Sequence, residues 1–392
     1  MREKYRLYVH DPEYYSDMIQ QDYHYDTPSV EIVENSVLVP VMKPGDEKIA
    51  GVYDSSVSYM HDINETVIYG GCPGGGFGHM LTWYFSRLWW LLENPDTNKK
   101  IAFVNKPPEQ FQFDTFLNLL GVKDENILFI QEPTRFKRII VPEPATRLHD
   151  GFHQKIKAVY NKIRDSVLPA PYEKVYLTRT KFNSSGNVGD IAGEEYFEEY
   201  YTALGYEVIS MDLLSVEKQI AVMAGAREIA CAGGTLPHWI LFCHDRVHVT
   251  ILNRTPDNNM FHAQCWINQL RDAQCILVDP SQNFLKTLRF ASCYLFSPVT
   301  EQWKRYSTEV NNIQVDINEI PQKYAWDYVC KWVNMVVQID EDNFHEELTS
   351  QTMCDFVINF YKYILNNDLD EPAKDKIKAR FSAVTDLNGC GG

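Results

Sequence analysis

The feature that most constrains the fold is a glycine-rich segment between an apolar run and an amphipathic pattern. Residues 67–71 are apolar or small, residues 70–78 contain six glycines, and residues 80–92 place apolar side chains at three- and four-residue spacing. This order predicts a strand, a loop and a helix. Glycine lets the backbone approach a ligand closely, and the first N–H groups of a helix bind anions or hydroxyls. The segment therefore predicts a ligand site in an α/β fold.

His79 stands where the predicted loop becomes the predicted helix. Because histidine takes up a proton near neutral pH, His79 is the first candidate for a general base, with Gly75, Gly76 and Gly78 lining the site near the acceptor or the donor. The alternative is a tight turn with a histidine that only caps or packs. The glycines match neither G-x-G-x-x-G nor the Gly-Lys-Ser/Thr phosphate motif, which disfavours NAD and Walker-type sites.

Strand and helix patterns alternate along the first half of the chain. After an N-terminal arm of 30 residues that we expect to be irregular, strands are predicted at residues 31–33, 36–42, 50–53, 67–71, 100–104, 126–130 and 138–141. Helices are predicted at residues 80–92, 111–120 and 151–167. This alternation indicates a parallel sheet covered on both faces.

A second α/β unit follows a proline-containing linker at residues 168–171. Its strands are predicted at 174–178, 207–210, 228–231 and 247–252, and its helices at 194–204, 216–224 and 236–242. The order is typical of a Rossmann-like unit. We therefore predict an N-terminal α/β domain at residues 1–165, a nucleotide-binding domain at 172–290 and a mainly helical region at 291–392, with helices at 324–339 and 351–366.

Composition excludes several classes of function. The formal net charge of -16 over 392 residues argues against nucleic acid as a partner and allows at most peripheral membrane association. The start of the chain lacks an apolar signal core, and no run approaches a membrane span. The nine cysteines form no C-x-x-C pair. We expect a cytoplasmic protein, with the inner face of the membrane as an alternative place of action and a homodimer left open.

A set of short segments in a fixed order carries a resemblance to a known family. They are residues 77–79 with the Leu- and Trp-rich pattern that follows, 175–179, 193–194, 213–220, 226–236 and 249–252. With these segments the chain resembles glycosyltransferase family 61, a group once labelled domain of unknown function 563 and common in bacterial loci for capsular and surface polysaccharide. Two positions depart from the family pattern, since Ala232 replaces a histidine and Gly193 replaces an asparagine.

The resemblance implies a fold, a reaction and a set of substrates. The fold would be GT-B-like, with two Rossmann-like domains that face a cleft. The reaction would be an inverting transfer of a sugar from a nucleotide-sugar donor, with UDP as the expected nucleotide. The helical C-terminal extension lies outside the resemblance; it could return to the first domain, with partner binding or dimerisation as the alternative. The acceptor would be a hydroxyl of a glycan or glycolipid in surface-polysaccharide biosynthesis, and no cofactor would be needed.

Physical chemistry gives the matching positions candidate roles. A departing nucleoside diphosphate needs positive charge or N–H donors, and the Arg179 guanidinium supplies a bidentate pair at a strand end. Glu194 would hold ribose hydroxyls or orient Arg179. Because an inverting transfer needs one base and no covalent nucleophile, His79 is the expected base. The remaining donor-binding candidates follow the third strand of the second unit: Gly233, Gly234, Thr235, Leu236 and His238, the last as a replacement for the missing family histidine.

Alternatives remain open for the metal and for the function. Two D-x-D triplets, at residues 340–342 and 368–370, follow no predicted strand, so we interpret them as solvated acidic turns and predict no essential metal. The alternative functions are a catalytically degenerate module that binds a glycan or nucleotide, and another GT-B-like transferase such as a polysaccharide pyruvyl transferase.

Overall fold

The computed structural model describes residues 4–40, 57–95, 97–147, 151–181, 190–255, 261–284 and 293–338. The strands are β1 Tyr5–Tyr8, β2 Val30–Leu38, β3 His61–Gly71, β4 Lys100–Val104, β5 Ile127–Ile130, β6 Thr134–Pro142, β7 Thr146–Arg147, β8 Gly151–Phe152, β9 Lys174–Leu177, β10 Ile191–Ala192, β11 Glu207–Ile209, β12 Glu228–Ala232, β13 His248–Leu252, β14 Gln274–Val278 and β15 Tyr294–Leu295. The α-helices are α1 Pro12–Gln20, α2 Phe77–His79, α3 Trp89–Glu93, α4 Phe113–Leu120, α5 Lys155–Arg164, α6 Glu194–Ala203, α7 Val216–Gly225, α8 Phe261–Leu270, α9 Glu301–Asn311 and α10 Gln322–Gln338.

The second half of the chain builds a six-stranded parallel sheet in the order β1-β14-β13-β12-β9-β11. Numbered along the chain from β9, its strands run 2-1-3-4-5, which is the doubly wound order of flavodoxin-like sheets. The sheet confirms the predicted α/β class. The order also defines a switch point between β9 and β12, where connections leave in opposite directions and a crevice opens at the carboxyl edge.

Buried side chains from successive residues of the strands lie on both faces of this sheet. Val175 and Leu177 join the core beneath α7 and α8, whereas Tyr176 between them joins the core beneath α6 and α9. The same alternation holds in β12, where Ile229 and Ala230 lie on opposite faces. Successive side chains of a strand point to opposite faces, so an apolar run of this kind needs a helical layer on each side.

The N-terminal residues are ordered, and the prediction of an irregular arm is wrong. Strand β1 pairs in parallel with β14 at the edge of the second sheet. Helix α1 follows, capped by Asp11, whose carboxylate accepts the N–H groups of Glu13 and Tyr14 at 3.1 Å. Residues assigned from the sequence to the first domain thus complete the sheet of the second. Strand pairing over 270 positions leaves no local pattern in a sequence.

The first half builds a five-stranded sheet in the order β2-β6-β3-β4-β5. Strand β2 is antiparallel to β6, and the other neighbouring pairs are parallel. The two strands predicted at 31–33 and 36–42 are one strand, β2, and the strand predicted at 50–53 lies outside the described residues. The predictions for β4 and α4 are confirmed, and α4 ends at Gly121 with a φ of 98°. The glycine loop therefore leaves the carboxyl end of β3, in the middle of a mixed sheet.

The segment after the glycine loop is not the continuous helix that its periodicity predicts. Helix α2 passes into a π-helix at Met80–Tyr84, and a regular α-helix resumes only at α3. Side chains from outside the segment hold its carbonyls, since the Tyr160 hydroxyl donates to Leu81 O at 2.8 Å and the Thr146 hydroxyl donates to Thr82 O at 2.7 Å. These tertiary hydrogen bonds compete with the regular ladder, which favours the wider turn.

The two halves pack against each other through one apolar core. Helix α5 lies against α4 of the first half and against α7 and a 3₁₀-helix at Leu236–Phe242 of the second. Tyr160 of α5 packs edge to face on Phe242 with ring centroids 5.5 Å apart. The predicted helix at 324–339 is confirmed as α10, which lies against β10 and β15. The predicted helix at 351–366 and its return to the first domain lie outside the described residues.

Candidate functional site

The carboxyl edge of the second sheet carries polar groups at its switch point. Arg179 follows β9 by two residues, and the turn Gly233-Gly234 follows β12 directly. The N–H of Gly233 donates to Leu252 O at 2.7 Å, so the turn begins as an extension of the strand ladder. In open α/β sheets, ligands bind in the crevice outside such a switch point. The strand order therefore places Arg179 and the second glycine turn where a ligand is expected.

Arg254, which sequence reasoning missed, lies over the same turn. A Cβ atom added at Gly234 would lie 2.4 Å from Nη2 of Arg254, and Gly234 has a φ of +114°. The guanidinium carbon stacks 4.9 Å from the ring centroid of Tyr294. Only glycine at 234 allows this close approach of a guanidinium to the backbone. The sequence signal that could have identified Arg254 is its position two residues after β13, the strand next to β12.

Arg179 and Arg254 lie close enough at this edge for their charges to act on each other, and both side chains are partly buried. Burial lowers the pKa of Arg179, and the neighbouring charge of Arg254 lowers it further, while Glu194, Asp190 and Asp212 oppose both effects. Burial also lowers the pKa of Arg254. Two neighbouring guanidinium groups repel each other, and an anion that pairs with both offsets that repulsion. The arrangement is therefore suited to an anionic group such as a diphosphate.

Glu194 lies beneath Arg179 and is fully buried. Its two carboxylate oxygens accept the backbone N–H of Arg179 at 3.2 and 3.1 Å, and Oε1 also accepts the Tyr176 hydroxyl at 3.2 Å. Burial raises the pKa of Glu194 to about 7, against the opposing effect of this backbone hydrogen bond. These contacts fix the backbone at Arg179 and leave no surface of Glu194 for a ribose hydroxyl, while its predicted orientation of the Arg179 guanidinium stays a prediction.

Gly193, the residue that departs from the family pattern, precedes Glu194 with a φ of +79°. A Cβ atom at this position would lie 2.4 Å from the carbonyl oxygen of Phe296. An asparagine would need space that the backbone around Phe296 occupies. The departure is thus matched to the segment that carries β15 in this chain.

The glycine loop of the first half faces this edge. Gly75 has a φ of +84°, and a Cβ atom there would lie 3.0 Å from Cγ of His79, so the loop curves around the imidazole. A Cβ atom at Gly76 would meet no atom within 4 Å, so the space at this position of the loop is open. At Gly78, a Cβ atom would lie 3.0 Å from Oγ1 of Thr235. The two glycine turns predicted separately from the sequence are therefore in contact.

An aromatic contact holds the two turns together. Phe77 packs on Trp239 with ring centroids 5.6 Å apart, and edge to face on Phe111 at 5.5 Å. Trp239 belongs to the 3₁₀-helix that follows Thr235, where the sequence predicts an ordinary helix. Leu236 is the first residue of this 3₁₀-helix, directly after the glycine turn. The packing fixes the loop that carries His79 against the turn that carries Thr235.

His238 belongs to the same 3₁₀-helix and is buried, with 3% of its surface exposed. Its Nδ1 lies 2.8 Å from Oε1 of Gln264, so the imidazole donates there and keeps Nε2 as an acceptor. Burial lowers the pKa of His238 to about 4, the charge of His79 lowers it too, and the Gln264 hydrogen bond opposes them. His238 is thus a neutral, internally bonded histidine, and its predicted contact with the donor stays a prediction.

With this geometry in place, comparison with known families is informative. Residues 77–250 match the model of the family Glycosyltransferase 61. The matched segment begins in α2, includes Arg179, Glu194 and the second glycine turn, and ends inside β13. No curated protein matches the chain. The match supports the resemblance and a glycosyltransferase role, and it leaves β1, α1 and Arg254 outside the family-matched segment.

In the part of the chain that the structure describes, no group of three or more His, Cys, Asp or Glu side chains is arranged to hold a metal ion. Both D-x-D triplets lie outside the described residues, so metal independence stays a prediction. Within the same described ranges, no helix has the length and apolar character needed to span a membrane.

Proposed function

We propose that this chain is an inverting glycosyltransferase. It moves a sugar from a nucleotide-sugar donor, expected to carry UDP, to a hydroxyl of a glycan or glycolipid. One observation carries this proposal: Arg254 lies over the second glycine turn at the switch point, Arg179 follows the neighbouring strand β9, and that turn contacts the loop that bears His79. The cytoplasm, at the inner face of the membrane, is the proposed place of action in surface-polysaccharide assembly.

The donor diphosphate would bind at the second glycine turn. The guanidinium groups of Arg179 and Arg254 would pair with its oxygens, and the N–H groups of Gly234 and Thr235 would donate to them. As the bond between sugar and diphosphate breaks, negative charge grows on the leaving group. The Arg254 guanidinium already stacks on Tyr294, and Glu194 holds the backbone N–H of Arg179, so little reorganisation would be needed to stabilise that charge.

The acceptor would enter beside the first glycine loop. The open space at Gly76 leaves room next to His79, whose imidazole is held by the curve of the loop at Gly75. In direct displacement, the acceptor hydroxyl attacks the anomeric carbon as His79 takes its proton, and the configuration inverts. A positioned base of this kind contributes on the order of 10²- to 10⁴-fold in rate.

The donor site is tested first by binding. Thermal shifts with UDP, GDP, ADP and CDP would be measured on the wild type, Arg179→Ala and Arg254→Ala, because a ligand that binds only the folded state raises stability. We expect one nucleotide to stabilise the wild type and each variant to lose most of the shift. Arg227→Ala is the matched control, since Arg227 precedes β12 at the opposite edge of the sheet and is exposed.

The base is tested by turnover. His79→Ala should bind the same nucleotide as the wild type and lose about 100-fold or more in the rate of sugar transfer. His61→Ala, at the first residue of β3 and exposed, should leave the rate unchanged. If no nucleotide stabilises the wild type, the transferase proposal fails. Tight nucleotide binding without transfer in the wild type, indifferent to His79→Ala, would instead support the binding module.

A further inference from the structure

The carboxyl edge of the second sheet continues beyond Arg254 as a row of polar residues. The residue after each strand extends the ladder, since Asn253 N–H donates to Val278 O at 2.8 Å and Asp279 N–H donates to Tyr8 O at 2.9 Å. Asn253, Asp279 and His10 thus follow β13, β14 and β1, in that spatial order. Neighbouring strands are spaced by about 4.8 Å, so this row reaches about 10 Å from Asn253 to His10.

His10 is fixed in this row by a fully buried carboxylate. Asp279 Oδ2 accepts the His10 N–H at 2.8 Å and the His10 Nδ1–H at 2.9 Å. Its other oxygen, Oδ1, accepts the Asn253 amide at 2.7 Å. Because Nδ1 is the donor to Asp279, Nε2 is the ring nitrogen that faces outward. The His10 side chain is 46% exposed, and Nε2 makes no hydrogen bond to the described part of the chain.

The contrast with a second histidine shows what is particular about this pair. His24 also bonds a carboxylate through Nδ1, with Asp22 at 2.7 Å, and its side chain is also 46% exposed. The Asp22 side chain, however, is 71% exposed, whereas Asp279 has almost no contact with solvent. Burying a carboxylate is costly unless hydrogen bonds hold it, and such a carboxylate fixes the orientation of its imidazole. Only His10 is therefore both fixed and presented at the ligand-binding edge.

The position of His10 relative to the proposed donor site indicates which part of the donor it would contact. The sugar of the donor must face His79 in the first half, so the nucleoside leaves the diphosphate on the other side. Arg254 approaches the turn from β13, and the groups beyond it along the edge are Asn253, Asp279 and His10. On the opposite side, beyond β11, the edge carries the exposed acid Asp212.

We propose that His10, held by Asp279, is a subsite for the nucleoside half of the donor, with Nε2 hydrogen-bonding a ribose hydroxyl or the base. This inference rests on the proposed function. Both residues lie outside the family-matched segment, so the N-terminal strand would supply this chain with its own nucleotide preference. The pair binds and orients the donor and takes no part in proton transfer.

Calorimetric titration with two kinds of ligand separates this subsite from the diphosphate site. UDP, GDP, ADP and CDP carry both halves, whereas inorganic pyrophosphate carries only the phosphates. For the best-bound nucleotide, His10→Ala should weaken binding about 5- to 10-fold, as expected for one hydrogen bond to a fixed imidazole. Its affinity for pyrophosphate should stay within about 2-fold of the wild type. His10→Gln, whose amide reaches the same position as Nε2, should recover part of the loss.

His24→Ala is the matched control and should change neither affinity. Equal losses for nucleotide and pyrophosphate in His10→Ala would show an indirect effect through Asn253 and Arg254, and would overturn the subsite. Unchanged nucleotide affinity in His10→Ala would overturn it as well, while the proposed transferase function would stand. If the wild type binds none of the four nucleotides, the proposed function itself fails and the subsite fails with it.

Discussion

The two glycine turns occupy equivalent places in their sheets and differ in how firmly they are held. The first, at residues 74–79, has Gly75 and Gly76 exposed and passes into a π-helix. The second, at residues 233–235, begins on the strand ladder, carries the Arg254 guanidinium against Gly234 and leads into a fully buried 3₁₀-helix from Pro237 onward. Both follow a central parallel strand, so the local pattern alone does not distinguish them.

The difference suits the two turns to different tasks. A diphosphate is bound best by charges that are already in place, because reorganising them during the reaction would cost free energy. In the proposed function, an acceptor needs space and a base that it reaches from solvent, and the first turn, with open space at Gly76, is the proposed place for both. A glycine-rich turn is therefore suited either to a fixed anion site or to an accessible reactive side chain, depending on which residues pack against it.

The largest effect is expected at Gly234, where a substitution tests whether the Arg254 guanidinium lies against the second turn. Gly234→Ala places a methyl group on the Arg254 guanidinium at a φ of +114°, so we expect a loss of about 3 kcal/mol in the free energy of unfolding. Nucleotide affinity should fall at least about 10-fold, because Arg254 must move. Gly121→Ala is the control, since Gly121 has a φ of +98° with open space around it and should lose only about 1 kcal/mol. Equal losses in the two variants, measured by denaturant unfolding, would contradict a close guanidinium contact.

The pH dependence of stability tests whether Glu194 is buried as a carboxyl group with a raised pKa next to the Arg179 backbone. Its pKa is raised to about 7 in the folded protein, above that of an exposed glutamate, so the folded state retains the proton longer than the unfolded state. Below about pH 4 both states are protonated and no difference arises; between about pH 4 and 7 the unfolded state releases its proton first, and folding loses stability.

The expected result is measured against Glu194→Gln, which does not titrate. Raising the pH from about 5 to 8 should cost the wild type about 2 kcal/mol of stability relative to the variant, in urea unfolding at each pH. His238 gives the opposite sign, because its pKa is lowered to about 4 and its stabilisation is lost as the pH falls below about 6.5. A difference between wild type and Glu194→Gln that does not vary with pH would show that Glu194 is ionised throughout.

The smallest effect is expected where the two turns touch. Gly78→Ala brings a methyl group to 3.0 Å from Oγ1 of Thr235, and should lower the free energy of unfolding by about 1 kcal/mol. Removing the hydroxyl and methyl of Thr235 in Gly78→Ala/Thr235→Ala should restore most of that loss, a coupling that a double-mutant cycle measures. Gly76→Ala, with a φ of -81° and open space, should change stability by less than about 0.5 kcal/mol. Additive effects of Gly78→Ala and Thr235→Ala would argue that the turns do not meet.

Several features were predictable because they depend on local pattern. The strands β9, β11, β12 and β13 and the helices α6 and α7 follow from apolar periodicity and from glycines at helix ends, and they appear within a few residues of their predicted bounds, whereas β10 was not predicted. Both glycine turns were predicted as candidate sites for the same reason, since a strand, a glycine run and an apolar pattern stand next to each other in the chain. Arg179 was predicted as a candidate because it stands just after a predicted strand, and its role stays a prediction.

Other features were missed because distant segments decide them. The continuous helix predicted at 80–92 is interrupted by Tyr160 and Thr146, which take carbonyls of the π-helix. Strand β1 was missed because its partner β14 lies about 270 residues away in the chain. The role of Arg254 depends on the pairing of β12 with β13, which sets Gly234 beneath its guanidinium.

The sequence by itself determined the α/β class, the two glycine turns and the candidate residues that stand directly beside them, because each rests on periodicity or backbone freedom over a few neighbouring residues. Only the tertiary structure decided which strands are neighbours. That order brings Arg254 to Gly234 and His10 to Asp279, and the packing of the two halves brings Gly78 to Thr235. Hydrogen bonds between strands are nearly the same for every partner, so the choice of partner comes from burial of whole faces and not from any local pattern.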